Sequence, residues 1–114
     1  MELSVAAATS DPDVAVVRVA GEVDVYTAPQ LRSALDTLIA RQRVRLVVDL
    51  DEVTFIDSTG LGVLVGRLRL AAHHHGWVRI ICSNERTLRA FTITGLDRVF
   101  VITGSLEDAL HATS

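Results

Sequence analysis

The segment Asp57-Ser58-Thr59-Gly60-Leu61-Gly62 carries the strongest chemical signal in the chain. Its two hydroxyls lie between a β-type apolar run and a stretch of helical periodicity. A helix N-terminus offers unpaired backbone N–H groups and the positive end of the peptide dipoles. A phosphate on Ser58 would be held there by backbone groups without unfolding the segment. Phosphorylation adds about −1.5 to −2 charge, and beside Asp57 that charge repels an acidic or closely packed partner surface. The residues alone leave a second account open, because a Ser-Thr pair ahead of a helix often only caps it.

Other reactive types are poorly arranged for chemistry. His73-His74-His75 are consecutive, and successive helical side chains point about 100° apart, so the three cannot converge on one metal ion. Metal-binding pairs on a helix need a spacing such as i, i+4. A solvated helix end, where partly protonated imidazoles suit the dipole, accounts for them better. Cys82 stands alone inside an apolar run and reads as an inert buried thiol, with no disulfide partner and no Cys-based zinc site. A serine hydrolase built on Ser58 would need a histidine and an orienting acid in reach. The Gly-x-Ser-x-Gly elbow and the Walker-type glycine loop are both missing.

The elements that must position Ser58 follow from periodicity. Leu3–Ala6 alternates as a short edge strand, and Asp11-Pro12-Asp13 is turn chemistry. Val14–Ala20 is a second strand, paired to the first as a hairpin and ended by Gly21. Thr27 is placed to cap a helix, with Pro29 in its first turn and Gln30 at the capping-box position. Leu31, Ala34, Leu35, Leu38 and Ile39 form its apolar stripe, and Arg41 and Arg43 suit its negative end. Val44–Leu50 is a third strand, followed by a loop containing Phe55 and Ile56. The helix that starts at Ser58 runs to about His74, with Leu61, Leu64, Val65, Leu68 and Ala72 on one face and Gly76 as its C-cap glycine. Val78–Cys82 is a fourth strand. Ser83 or Asn84 caps a short helix carrying Leu88 and Phe91. Val99–Ile102 is a fifth strand, and Ser105 caps a last helix. Strands alternating with helices imply an α/β domain with a mostly parallel sheet.

Composition narrows the classes. The 114 residues fit one domain, 1–114. Hydrophobic residues make up 49% and charged residues 22%, enough apolar surface to bury a core. Aromatics are only 4%, so that core is aliphatic. The net charge of −3 and the scattered basic residues, all Arg, argue against a nucleic-acid partner. No run approaches the length of a membrane span, and no basic-then-apolar leader opens the chain; a cytoplasmic protein is expected.

Phe55-Ile56-Asp57-Ser58-Thr59-Gly60-Leu61-Gly62-Val63-Leu64-Val65-Gly66 resembles the signature of the anti-sigma factor antagonists (anti-anti-sigma factors) of the STAS domain family. Gly21-Glu22-Val23-Asp24-Val25-Tyr26-Thr27-Ala28 resembles the family's second motif. Thr94-Gly95-Leu96 with Val99-Phe100 resembles its C-terminal segment. The similarity spans essentially the whole chain and is greatest to actinobacterial members governing development and stress response.

The resemblance implies a STAS-type single domain: a mixed, mostly parallel five-stranded sheet with an N-terminal edge hairpin and about four helices. It implies partner switching in transcription regulation, including stress response and sporulation. The dephosphorylated form binds an anti-sigma serine kinase of the histidine-kinase-like ATPase superfamily and frees the sigma factor. Phosphorylation of Ser58 ends the contact, and a PP2C-type phosphatase restores it. Thr59 is implied as a minor acceptor. Asp57, Thr59, Gly60 and Leu61 would form the docking face, and Glu22, Asp24, Tyr26 and Thr27 the neighbouring loop. The chain would be a monomer that pairs with a kinase dimer, with no cofactor and no catalytic residue of its own. The alternative is a non-switching STAS scaffold or lipid-transport-complex subunit, which the intact Asp57-Ser58-Thr59 argues against.

Overall fold

The computed structural model describes residues 1–112, so the last two residues of the expected 1–114 domain lie outside it. After an opening hairpin, aliphatic strand runs and amphipathic helices alternate, and the first three helices each return the chain to the start of the next strand. The strands are β1 (Glu2–Ala7), β2 (Val14–Val23), β3 (Arg45–Ile56), β4 (Trp77–Ile81) and β5 (Ile102–Thr103). The helices are α1 (Ala28–Ala40), α2 (Ser58–His73), α3 (Glu85–Ile93) and α4 (Leu106–His111), with a 3-10 turn at Leu96–Arg98. The five strands lie in sequence order; β1 is antiparallel to β2 and every other pair is parallel.

Both sheet faces are covered, but unequally. On one face Leu31 and Leu35 of α1, Leu61 and Leu64 of α2 and Phe91 of α3 pack with Val17, Val48 and Ile80. Phe91 meets Phe100 edge to face at 5.8 Å. On the other face α4 is the one helix that packs among the described residues, placing Ala109 against Val16, Val47 and Ile81. Arg79 lies almost buried beneath it, stacked on Trp77 at 3.7 Å and donating to the Ala109 carbonyl at 2.9 Å. Burial, with Arg45 nearby, lowers the guanidinium pKa from its ordinary value. Burying each large aliphatic side chain contributes about 1.5–3 kcal/mol, and the mostly aliphatic core is completed by Phe91 and Phe100.

Several local expectations are corrected. Strand β2 does not end at Gly21: it passes through that residue at φ +92 and reaches Val23. Strand β3 continues past Leu50 to Ile56, so Phe55 and Ile56 belong to a strand. Register shifts at Arg18/Ala20 and Gly21/Glu22 keep the two strands paired over this length. The fifth strand is Ile102–Thr103, because Val99 closes the 3-10 turn instead. Ala71 is buried on α2 where Ala72 was expected, and Ala72 is exposed.

Gly76 is not the left-handed residue after α2; that conformation falls on His75, at φ 65. Gly76 is required for another reason, since an added Cβ would lie 2.0 Å from the Val44 carbonyl oxygen. Arg43 does not sit on the end of α1; its Nη2 donates to the Pro12 carbonyl at 3.2 Å.

Candidate functional site

The site sits where β2 and β3 outrun the rest of the sheet. Pairing between β3 and β4 ends at Asp49↔Ile81, while β2 and β3 continue to Val23↔Ile56. Side chains at the start of α3 replace the missing strand. Asn84 Nδ2 and Thr87 Oγ1 both donate to the Val53 carbonyl, at 3.0 and 3.2 Å. The Asp51 carboxylate accepts from the Ser83 N–H at 2.7 Å and its hydroxyl at 3.0 Å. Asp49 lies within β3, accepting from the Asp51 N–H and pairing with Arg18 at 3.7 Å.

At the tip of this ribbon Asp57 caps α2. Its extended backbone lets its carboxylate accept from the Gly60 N–H at 3.0 Å, and its carbonyl takes the Leu61 N–H. Ser58 is the first helical residue, and both it and Thr59 are exposed. Their N–H groups fall among the first four of the helix, which have no intrahelical acceptor. Gly60 is buried because a Cβ there would lie 2.7 Å from Val23 Cγ1 and 2.9 Å from Ile56 Cγ1. Gly60 and Leu61, expected on a docking face, are buried instead, under the exposed Ser58 and Thr59.

A second loop is tied to the first. The Asp57 N–H donates to the Val23 carbonyl at 3.1 Å, joining the end of β2 to the start of α2. Beyond Val23 the Asp24 carboxylate accepts from the N–H groups of Tyr26 and Thr27, at 2.9 and 3.0 Å. Thr27 does not cap α1 with its side chain. Its hydroxyl accepts from the Asp24 N–H and donates to the Glu22 carbonyl, each at 2.9 Å. Chiefly the Thr27 N–H, together with the Tyr26 N–H and the Thr27 hydroxyl, lowers the Asp24 pKa against the opposing cost of desolvation.

This clasp presents Tyr26 almost fully, at 89% exposure, with Val25 and Glu22 also exposed. Sequence reasoning overlooked Phe55, which lies 47% exposed in register with Glu22. Its alternation with buried Ile56 was the available signal. A shallow groove of about 390 Å³ runs from Ser58 along α2, past Leu61 and Val65 to Thr94 and Leu96. The first two sequence motifs thus meet at this end of the molecule, and Thr94 and Leu96 of the third line the groove that leads away from it. The His73–His75 run lies at the far end of α2.

The model of the STAS domain matches residues 6–109, and the chain belongs to that family. It is 36% identical over 102 residues to the anti-sigma-B factor antagonist of Listeria monocytogenes, covering 90% of each chain. To the anti-sigma-B factor antagonist of Bacillus subtilis it is 40% identical over 95 residues, 83% of this chain and 86% of that one. The crystal structure of an anti-sigma factor antagonist from Mycobacterium paratuberculosis superposes with a TM-score of 0.85 at 33% identity, covering 96% of this chain and 90% of that one. No helix among the described residues is long and apolar enough to cross a membrane.

Proposed function

We propose that this chain is an anti-sigma factor antagonist whose grip on its partner is switched by phosphorylation of Ser58. The observation that carries the reading is an exposed hydroxyl on the first residue of α2, beside uncommitted backbone N–H groups. The dephosphorylated protein binds an anti-sigma serine kinase of the histidine-kinase-like ATPase superfamily, and the sigma factor is freed. The kinase, using Mg-ATP, transfers its γ-phosphoryl group to Ser58 Oγ; the hydroxyl proton is lost and ADP leaves. Thr59 is the minor acceptor. A PP2C-type phosphatase returns the protein to its binding form.

Magnitudes decide why the contact fails and the fold does not. A phosphate at a helix N-terminus is favourable by about 0.3–1 kcal/mol. Like charges forced together across an interface cost several kcal/mol. The Asp57 carboxylate already serves Gly60, so its second oxygen is the one left to orient the acceptor or meet a basic group of the kinase. Glu22, Tyr26 and Thr59 form the exposed contact surface, with Asp24 and Thr27 holding its shape. The chain acts by binding, as a regulatory module in place of an enzyme, and works in the cytoplasm.

The test is incubation with a candidate anti-sigma kinase and Mg-ATP, followed by intact-mass and fragment spectrometry. One added phosphate on Ser58, with release of the kinase, is expected. Unmodified Ser58 alongside a Ser58→Ala variant that releases its partner like the wild type would sink the reading. Capture of a transport ATPase instead of a small kinase would favour the constitutive STAS module.

A further inference from the structure

We infer that the anti-sigma partner reaches past the Ser58 rim and grips the open face of the β2–β3 ribbon with an arginine-bearing surface. The inference rests on the proposed function and extends its contact to a second side of the rim. A Cβ on Gly60 would meet Val23 and Ile56, so both of those side chains turn toward α2. Successive strand residues point to opposite faces, and Glu22 and Phe55, paired in register, therefore face away from α2. Ala20 follows the core residue Val19 and lies on the same outer face, flanked across the sheet by Glu2 and Glu52.

Among the described residues α4 is the one helix on this side, and it packs over Val16, Val47 and Ile81. Past them Glu2, Glu22, Glu52 and Phe55 are all exposed, Phe55 to 47%. Arg18 is the one basic side chain on this stretch of β2, and Asp49 takes it at 3.7 Å. None of the three glutamates has an ion-pair partner among the described residues.

Charge and ring together select the occupant. A lysine answers a carboxylate as a point charge, whereas a guanidinium pairs with it bidentately and also stacks on an aromatic face. An exposed ring set among unpaired carboxylates therefore fits arginine best. Continuity assigns that arginine to the anti-sigma partner. Glu22 borders both this face and the Asp24 clasp that presents Tyr26, and the Asp57 N–H ties the end of β2 to the start of α2. Ser58 opens α2 on the other side, so a phosphate there meets a different part of the partner.

Stopped-flow association and calorimetry with the candidate anti-sigma kinase test the inference. Glu52→Lys should keep the circular dichroism spectrum and weaken binding at low salt by at least about tenfold, chiefly through slower association. That difference should fade toward about 1 M salt, where screening acts within about 3 Å. Phe55→Ser should weaken binding as well. Asp13→Lys makes the same charge change at an exposed residue before the far end of β2, and should alter binding by less than about twofold. Glu52→Lys and Phe55→Ser variants that bind like the wild type, or an Asp13→Lys variant that binds as poorly as Glu52→Lys, would overturn this inference while Ser58 still takes phosphate. A wild-type chain that neither binds the kinase nor is modified would overturn both readings.

Discussion

The Asp57 N–H donates to the Val23 carbonyl across 3.1 Å, and this bond fixes the entrance of α2 to the end of β2. It places the Asp24 clasp and the Ser58 hydroxyl on one rigid rim. A partner that reads both meets a surface set in advance, so little ordering cost falls on binding.

Replacing Ser58 by Glu supplies one of the charges that phosphorylation brings. Folding stability should stay within about 0.5 kcal/mol of wild type, since the site is exposed. Affinity for the anti-sigma partner should fall by at least about tenfold, as like-charge contacts cost more than that at an interface. Ser58→Ala should bind constitutively. Calorimetric titration against the partner, with urea melts in parallel, reads both quantities.

Asp57→Ala removes the carboxylate that caps α2, and about 1 kcal/mol of stability should go with it. Asp57→Asn keeps an acceptor for the Gly60 N–H and should lose only a few tenths. Equal urea midpoints for the two variants would show that the cap contributes nothing.

Glycine substitutions along α2 should split by position. Gly60→Ala gains about 1 kcal/mol of helix propensity but drives a methyl to 2.7 Å from Val23 Cγ1, and overpacking costs about 1–3 kcal/mol. A net loss is expected. Gly62→Ala and Gly66→Ala meet nothing within 4 Å, so each should stabilise the protein by up to about 1 kcal/mol. Thermal melts of the three variants decide it.

Acid should loosen the Asp24 clasp. Its carboxyl is held below the ordinary value of 3.8, so folding favours the ionised form. That contribution is complete above 3.8 and is lost as pH falls through the lower, folded value. A carboxyl-detected NMR titration should find a depressed midpoint for Asp24, and Asp24→Asn should remove this component of the acid dependence. A midpoint at or above 3.8 would contradict the clasp geometry.

The alternation of periods in the sequence made the order of elements legible, because Leu31, Leu35 and Ile39 repeat as a helix must and Val14–Val19 as a buried strand must. The Ser58 environment was legible for the same reason: capping chemistry follows a strand-type run. What stayed hidden depended on contacts between distant segments. Nothing local announces that β3 continues to Ile56, since its pairing relies on register shifts opposite Gly21. Gly76 looked like a helix stop, but its cause is Val44, more than thirty positions away. Gly76→Ala would therefore fail for want of room, with no left-handed conformation involved. Thr27 has the type of a cap, yet Asp24 and Glu22 claim its hydroxyl first.

The ribbon that lifts Ser58 above the sheet has a further consequence. Since β4 stops at Ile81, the outer edge of residues 51–56 is held by side chains of Ser83, Asn84 and Thr87, while Val53 and Ile56 stay anchored in the core and the alternate side chains face outward. Under the proposed function, exchanging the exposed Glu22, Tyr26 or Phe55 would alter what the rim recognises while the buried core keeps its residues. A lineage of such proteins can thus diverge in whom it answers to while inheriting one unchanged chassis.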